Sequence, residues 1–169
     1  GGAIYGSAGT PTEAGSGGYG ASGGSGGGLV WMRITNSASL NGTITANGGD
    51  GGGNGGGSGG GIYITADSFA TATGTLRADG GSSTSGGGGG GRIALVFRSD
   101  GFIGALSAAP GGSGAVTGGV GTTVRRLQDG YFSLIVQGDP IAHGASTPCT
   151  YGVTGINAGT VLTTTVNST

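Results

Sequence analysis

The chain has 169 residues, of which 48 are Gly and 4 are Pro. Both types destabilise helix interiors, so a helical protein is excluded. Six Arg, no Lys and seven acidic residues leave a net charge of −1, which removes the clustered basic footprint that phosphate neutralisation needs and sets nucleic-acid binding aside.

Leu, Ile, Val and Phe together make only 31 of the 169 residues. With so little charge to keep the chain extended, that composition points to backbone packed repetitively on backbone in place of a large oily core. No apolar run reaches the roughly 20 residues of a membrane span, so no membrane insertion is expected. The first residues, Gly1-Gly2-Ala3-Ile4-Tyr5, carry no initiator Met, basic region or apolar region, which reads as a processed or excised piece of a longer protein.

In chain order, residues 1–28 are Gly-Ser-Ala sequence with Ile4, Tyr5 and Tyr19 as the only sizeable apolar side chains, and read as one or two threads capping a stack. A repeat follows. Its first copy, over residues 23–54, runs Gly26-Gly27-Gly28, then LVWMRIT from Leu29 to Thr35, then Gly42-Thr43-Ile44-Thr45-Ala46-Asn47-Gly48-Gly49. The second copy, over 55–85, has IYITA from Ile62 and Gly74-Thr75-Leu76-Arg77-Ala78-Asp79-Gly80-Gly81. The third, over 86–117, has RIALVF from Arg92 and Gly104-Ala105-Leu106-Ser107-Ala108, and a partial fourth occupies 118–128 with TTVRRL. The last Gly before each strand falls at 28, 61, 91 and 121, a period of about thirty residues, which is the signature of a stacked-repeat architecture.

Each unit reads as a Gly run, a strand of five or six residues, a Ser/Thr/Asn/Asp turn, a short strand and another Gly-rich turn. Neither strand buries its apolar side alone, but stacking in register places Val30, Ile62 and Ile93 in one column. Met32, Ile64 and Leu95 form a second, Ile34, Ala66 and Phe97 a third, and Ile44, Leu76 and Leu106 a fourth. The fold expected is therefore all-β, a mostly parallel β-solenoid of three to four coils over residues 1–128. The Gly runs read as flexible linkers, as wide solenoid turns, or as extended threads of three residues per turn packed side by side without intervening side chains. Their fixed phase relative to the strands argues against linkers.

From about Asp129 Gly becomes sparser, and Tyr131–Val136 and Thr160–Val166 read as strands joined by a loop holding Pro140, His143, Pro148 and Cys149. Residues 129–169 form a C-terminal β segment, a cap or a subunit-joining element. The lone Cys149 cannot close an internal disulfide and reads as a half-buried small residue, with pairing between chains as the alternative.

Chemistry finds little foothold. A phosphate-binding loop needs a Lys after its last Gly, and a dinucleotide fingerprint needs a helix; neither is present. Asp50 and Asp79 sit in Gly-rich turns that superficially resemble calcium-binding nonapeptide turns, but the nine-residue unit does not recur, so no metal or other cofactor is expected. Glu13, six scattered Asp and His143 form no paired-carboxylate or Ser-His-Asp spacing, and no catalytic residue is assigned. Arg33, Arg77, Arg92 and Arg98 are expected on a solvated face, pairing with Asp67, Asp79 or Asp100. Thr43, Thr45, Thr71, Thr73 and Thr75 suit strands, and a flat Thr array is the feature an ice-binding protein would use. Asn41 and Asn167 fit the N-glycosylation pattern.

The combination of GGGSGGG, an apolar strand, G-T-[IL]-x-A-[ND]-G-G and GGGGGGRIALVF resembles the Gly-rich repeats of large secreted or cell-surface β-helical proteins, mainly bacterial, over roughly residues 23–128. The Gly runs are also similar to the polyglycine-II sandwiches of phage tail-fibre adhesins. Both resemblances imply an extracellular or cell-surface location and a structural or adhesive role, and neither carries catalytic residues over. The function expected is a structural subunit of a filament or surface layer whose main partner is itself. The strand Thr160, Val161, Leu162, Thr163, Thr164, Thr165, Val166 is the candidate for adding to a neighbour's sheet edge. The alternatives are an adhesin or carbohydrate-binding module that meets surface glycans on an aromatic platform drawn from Tyr5, Tyr19 or Tyr151, and an ice-binding protein.

Overall fold

A computed structural model describes residues 6–108, 111 and 116–128, together with the backbone of 135–137. The chain winds as a parallel β-solenoid. The first coil contributes β1 (Leu29–Arg33), β2 (Ser37–Ala38) and β3 (Thr43–Thr45), and the second β4 (Gly61–Thr65), β5 (Ser68–Ala72) and β6 (Thr75–Arg77). The third contributes β7 (Arg92–Phe97), β8 (Ser99–Phe102) and β9 (Ala105–Ser107); β10 (Thr122–Leu127) opens a fourth turn and β11 (Ile135–Gln137) follows it. Corresponding strands stack into three sheets, in the orders β1-β4-β7-β10-β11, β2-β5-β8 and β3-β6-β9. Among the described residues every strand pairing is parallel except β10 with β11.

The register follows from which side chains must face inward. Val30 pairs with Ile62 and Ile62 with Ile93, Met32 with Ile64 and Ile64 with Leu95, and Ile44 with Leu76 and Leu76 with Leu106. A slip of one residue would turn these columns to solvent. Ile34 and Ala66 continue the first sheet, bonding the Thr65 and Val96 carbonyls at 2.8 and 2.9 Å, and place the third column over Phe97. Each coil holds three strands where the sequence suggested two. The Ser/Thr turn carries the middle one, and its Phe69 and Phe102 point inward, Phe69 meeting Phe97 edge-on at 5.8 Å and Phe102 at 6.4 Å. The signal was faint because β2 is two residues long and β5 and β8 change register between Phe69 and Ala72.

Beside the sheets, the Gly runs form ordered threads. Thread 55–60 turns its N–H groups to three neighbours in strict rotation. Gly55 and Ser58 donate to the Tyr19 and Ser16 carbonyls, Gly56 and Gly59 to Gly86 and Gly89, and Gly57 and Gly60 to Gly49 and Ala46, at 2.8 to 3.2 Å. A donor direction that repeats every third residue is that of a three-residue-per-turn helix, in which all backbone groups must find partners on other threads. Threads leaving one coil nest between threads entering two: Gly49 donates to Ser25 on one side and accepts from Gly57 on the other. Gly is required because a Cβ at Gly57 or Gly88 would overlap a backbone carbonyl of the adjoining thread. Residues 15–19 lie antiparallel along the outside of this layer, with Gly15 and Gly18 donating to Gly27 and Gly24. They flank the threads of the first two coils; they do not lie across the coil end.

Candidate functional site

The two ends of the solenoid differ. At the start, β1, β2 and β3 are each the edge of their sheet. In the second coil Ile62, Ile64 and Leu76 are at most 1 % exposed, whereas their partners Val30, Met32 and Ile44 in the first coil are only partly buried, as are Ile34 and Leu40. Among the described residues the apolar interior therefore reaches the surface beside three unpaired strand edges, an arrangement that templates further strands.

At the other end two inward columns of the first sheet turn polar, while the third continues from Phe97 to the partly buried Leu127. Val30-Ile62-Ile93 continues to Thr123, and Met32-Ile64-Leu95 to Arg125. Arg125 lies over the Phe102 ring at 5.9 Å, donates to the Phe102 carbonyl at 2.6 Å and pairs with Asp100. A guanidinium placed in this way covers the last aromatic layer, with its Nη2 bonded at the rim and its Nε buried without a hydrogen-bond partner among the described residues. The sequence holds the signal, since Arg125 stands thirty residues after Leu95, but nothing in it shows that the column should end there.

On the thread face, two N–H groups are met by side chains from the coil below. The Asp79 N–H donates to Asn47 Oδ1 at 2.9 Å, and the Ser82 N–H to Asp50 Oδ1 at 2.6 Å. Asp79 in turn accepts from Arg77 Nε at 2.7 Å and Ser107 Oγ at 2.5 Å. Both acids of the Gly-rich turns are thus engaged in holding coils together, and among the described residues no group of three His, Cys, Asp or Glu could hold a metal.

The remaining candidates are scattered. Arg77 pairs with Asp79 at 2.6 Å and Arg98 lies 3.9 Å from Asp67, while Asp100 pairs with Arg125. Arg33, Thr65, Asp67, Arg98 and Gln128 line a shallow cleft of about 160 Å³. The Thr array is broken, since Thr43 and Thr75 lead to Ala105, and Thr45 leads to Arg77 and Ser107. Asn41 is exposed, with its Nδ2 donating to Ser39 Oγ at 2.9 Å. Trp31, 67 % exposed, stands in register with Tyr63 on the outer face of the first sheet, an aromatic pair that composition alone did not single out. Residues Thr160 to Val166, Asn167, Cys149, His143, Tyr5 and Tyr151 lie outside the described residues.

No protein-family model, no curated protein and no solved structure matches this chain. Among the described residues no helix is long and apolar enough to cross a membrane.

Proposed function

We propose that the chain is a structural subunit of an extracellular filament or surface layer that assembles by adding strands to a neighbour's open coil. The observation that carries this reading is the first coil, where, among the described residues, three strand edges without a neighbour flank a partly buried apolar interior. Growth by a repeating head-to-tail contact gives an open polymer. The Thr160–Val166 strand is the proposed donor, because it is uncharged and rich in β-branched residues. The extracellular assignment rests on the resemblance of residues 23–128 to secreted β-helical repeats.

Electron microscopy of the purified chain over a range of concentrations tests the proposal. Uniform filaments are expected, and a variant lacking residues 156–169 should stay folded and fail to assemble. Monodisperse wild-type particles, or filaments formed equally well by the truncated chain, would remove the corresponding part of the reading.

A second reading, an adhesin or carbohydrate-binding module, is favoured by the Trp31–Tyr63 pair, because exposed aromatic faces stack on apolar ligand surfaces. It predicts saccharide binding by the wild type, measured on a glycan array, that Trp31→Ala abolishes.

A further inference from the structure

The thread layer contains a slot that repeats a contact the chain already makes. Residues 15–19 occupy the groove between the entering threads of the first and second coils. There they donate to the carbonyls of Gly24 and Gly27 and accept from the N–H groups of Gly55 and Ser58. One coil further on, the strand registers make Gly56 and Gly59 the counterparts of Gly24 and Gly27, and Gly86 and Gly89 the counterparts of Gly55 and Ser58. Among the described residues, no backbone donor meets the carbonyls of Gly56 or Gly59, and no acceptor meets the N–H groups of Gly86 or Gly89. A Cβ at Gly86 would meet nothing within 4 Å, and one at Gly89 only the Gly119 backbone, at 3.6 Å or more. These glycines are therefore not imposed by the close backbone approach that requires Gly57 and Gly88.

We infer that this slot receives a second copy of the chain, which lays its own 15–19 thread between the second and third coils. The occupant must be a thread of small residues running antiparallel to 55–60 and 86–91, because that is what fills the same groove one coil earlier. Thread 15–19 meets this requirement and, while seated in its own groove, leaves Gly17 exposed and the carbonyls of Gly15 and Gly18 without a backbone partner among the described residues. A two-fold axis parallel to the threads keeps thread direction, reverses coil order and exchanges faces, so each copy's thread enters the other's slot in one self-complementary contact. Tyr19, 66 % exposed with its ring against the Gly55 position at the rim, supplies apolar area for such a contact. The pairing is lateral and uses neither β1 nor the C-terminal strand, so it is independent of the end-to-end assembly proposed above.

Sedimentation of the full chain across a concentration series tests it, with Gly86→Val and Gly89→Val combined in one variant and Gly42→Val, at another open position, as control. To keep filament growth apart from pairing, the series is repeated on the chain lacking residues 156–169. In the chain lacking residues 156–169 the expected result is a dimer for the otherwise wild-type sequence and the control, and at least a ten-fold weaker association for the double variant with its thermal midpoint unchanged. A wild type that stays monomeric at every concentration, or a double variant that dimerises as well as the wild type, overturns the inference. Amide exchange is a second readout: Gly86 and Gly89 should gain protection as concentration rises, and protection already present in dilute monomer would assign the slot to the chain's own residues and overturn it equally.

Discussion

At the scale of single residues, two kinds of glycine stand side by side in one thread. A methyl group at Gly88 would overlap the carbonyl of Gly57, whereas at Gly86 it would enter open space. Gly88→Ala should therefore destabilise by about 3 kcal/mol or more, since the rigid backbone opposite has no rotamer with which to yield. Gly86→Ala should change stability by less than about 0.5 kcal/mol. Denaturant unfolding of the two variants checks both, and equal effects would show that the threads are not closely packed. The same logic applies to the side-chain caps. Asn47→Ala leaves the N–H of Asp79, a residue 7 % exposed, without its acceptor, and the expected cost is about 1–3 kcal/mol.

At the scale of strands and coils, burial rises from the first coil to the second along each column. Ile64→Ala removes a side chain that is 0 % exposed and should cost about 2–5 kcal/mol. Ile44→Ala, in the partly buried first coil, should cost less than half as much; unfolding midpoints for the pair decide it. The columns themselves were legible in the sequence because apolar residues recur at offsets of 32 and 31 between Val30, Ile62 and Ile93. The middle strand of each coil was not, because Phe69 and Phe102, its inward residues in the second and third coils, sit among Ser, Thr and Ala that read equally well as a turn. Arg125 was hidden for a different reason. An Arg in a strand reads as solvent-facing by default, and only the register, which places it above Leu95, shows that it lies over Phe102. The thread geometry stood as one of three open readings, since a Gly run specifies freedom of backbone conformation and not the conformation itself.

For the whole molecule, stacked coils make stability a sum of coil energies and nearest-neighbour interfaces, so local opening should begin where an interface is missing. Among the described residues the first coil has a neighbour on one side only: β1, β2 and β3 are sheet edges, and Val30, Met32 and Ile44 are only partly buried. Among the described residues the second coil has neighbours on both sides and the third has one beyond it only in the first sheet, through β10; Ile62, Ile64, Ile93 and Leu95 are fully buried there. Amide exchange on the unassembled chain should therefore rank β1 and β3 well below β4 and β7, by about ten-fold or more in protection. Assembly through the open coil would supply the missing interface, so the same amides in β1 and β3 should slow toward the rates of β4 and β7 in filaments. Lateral pairing through the thread slot would instead slow Gly86 and Gly89 and leave β1 and β3 unchanged. Exchange measured at these two sets of residues thus separates end-to-end from side-to-side association in a single experiment. Protection of β1 equal to that of β4 in dilute, unassembled chain would mean that the first coil is already covered, and the end-to-end proposal would lose its joint.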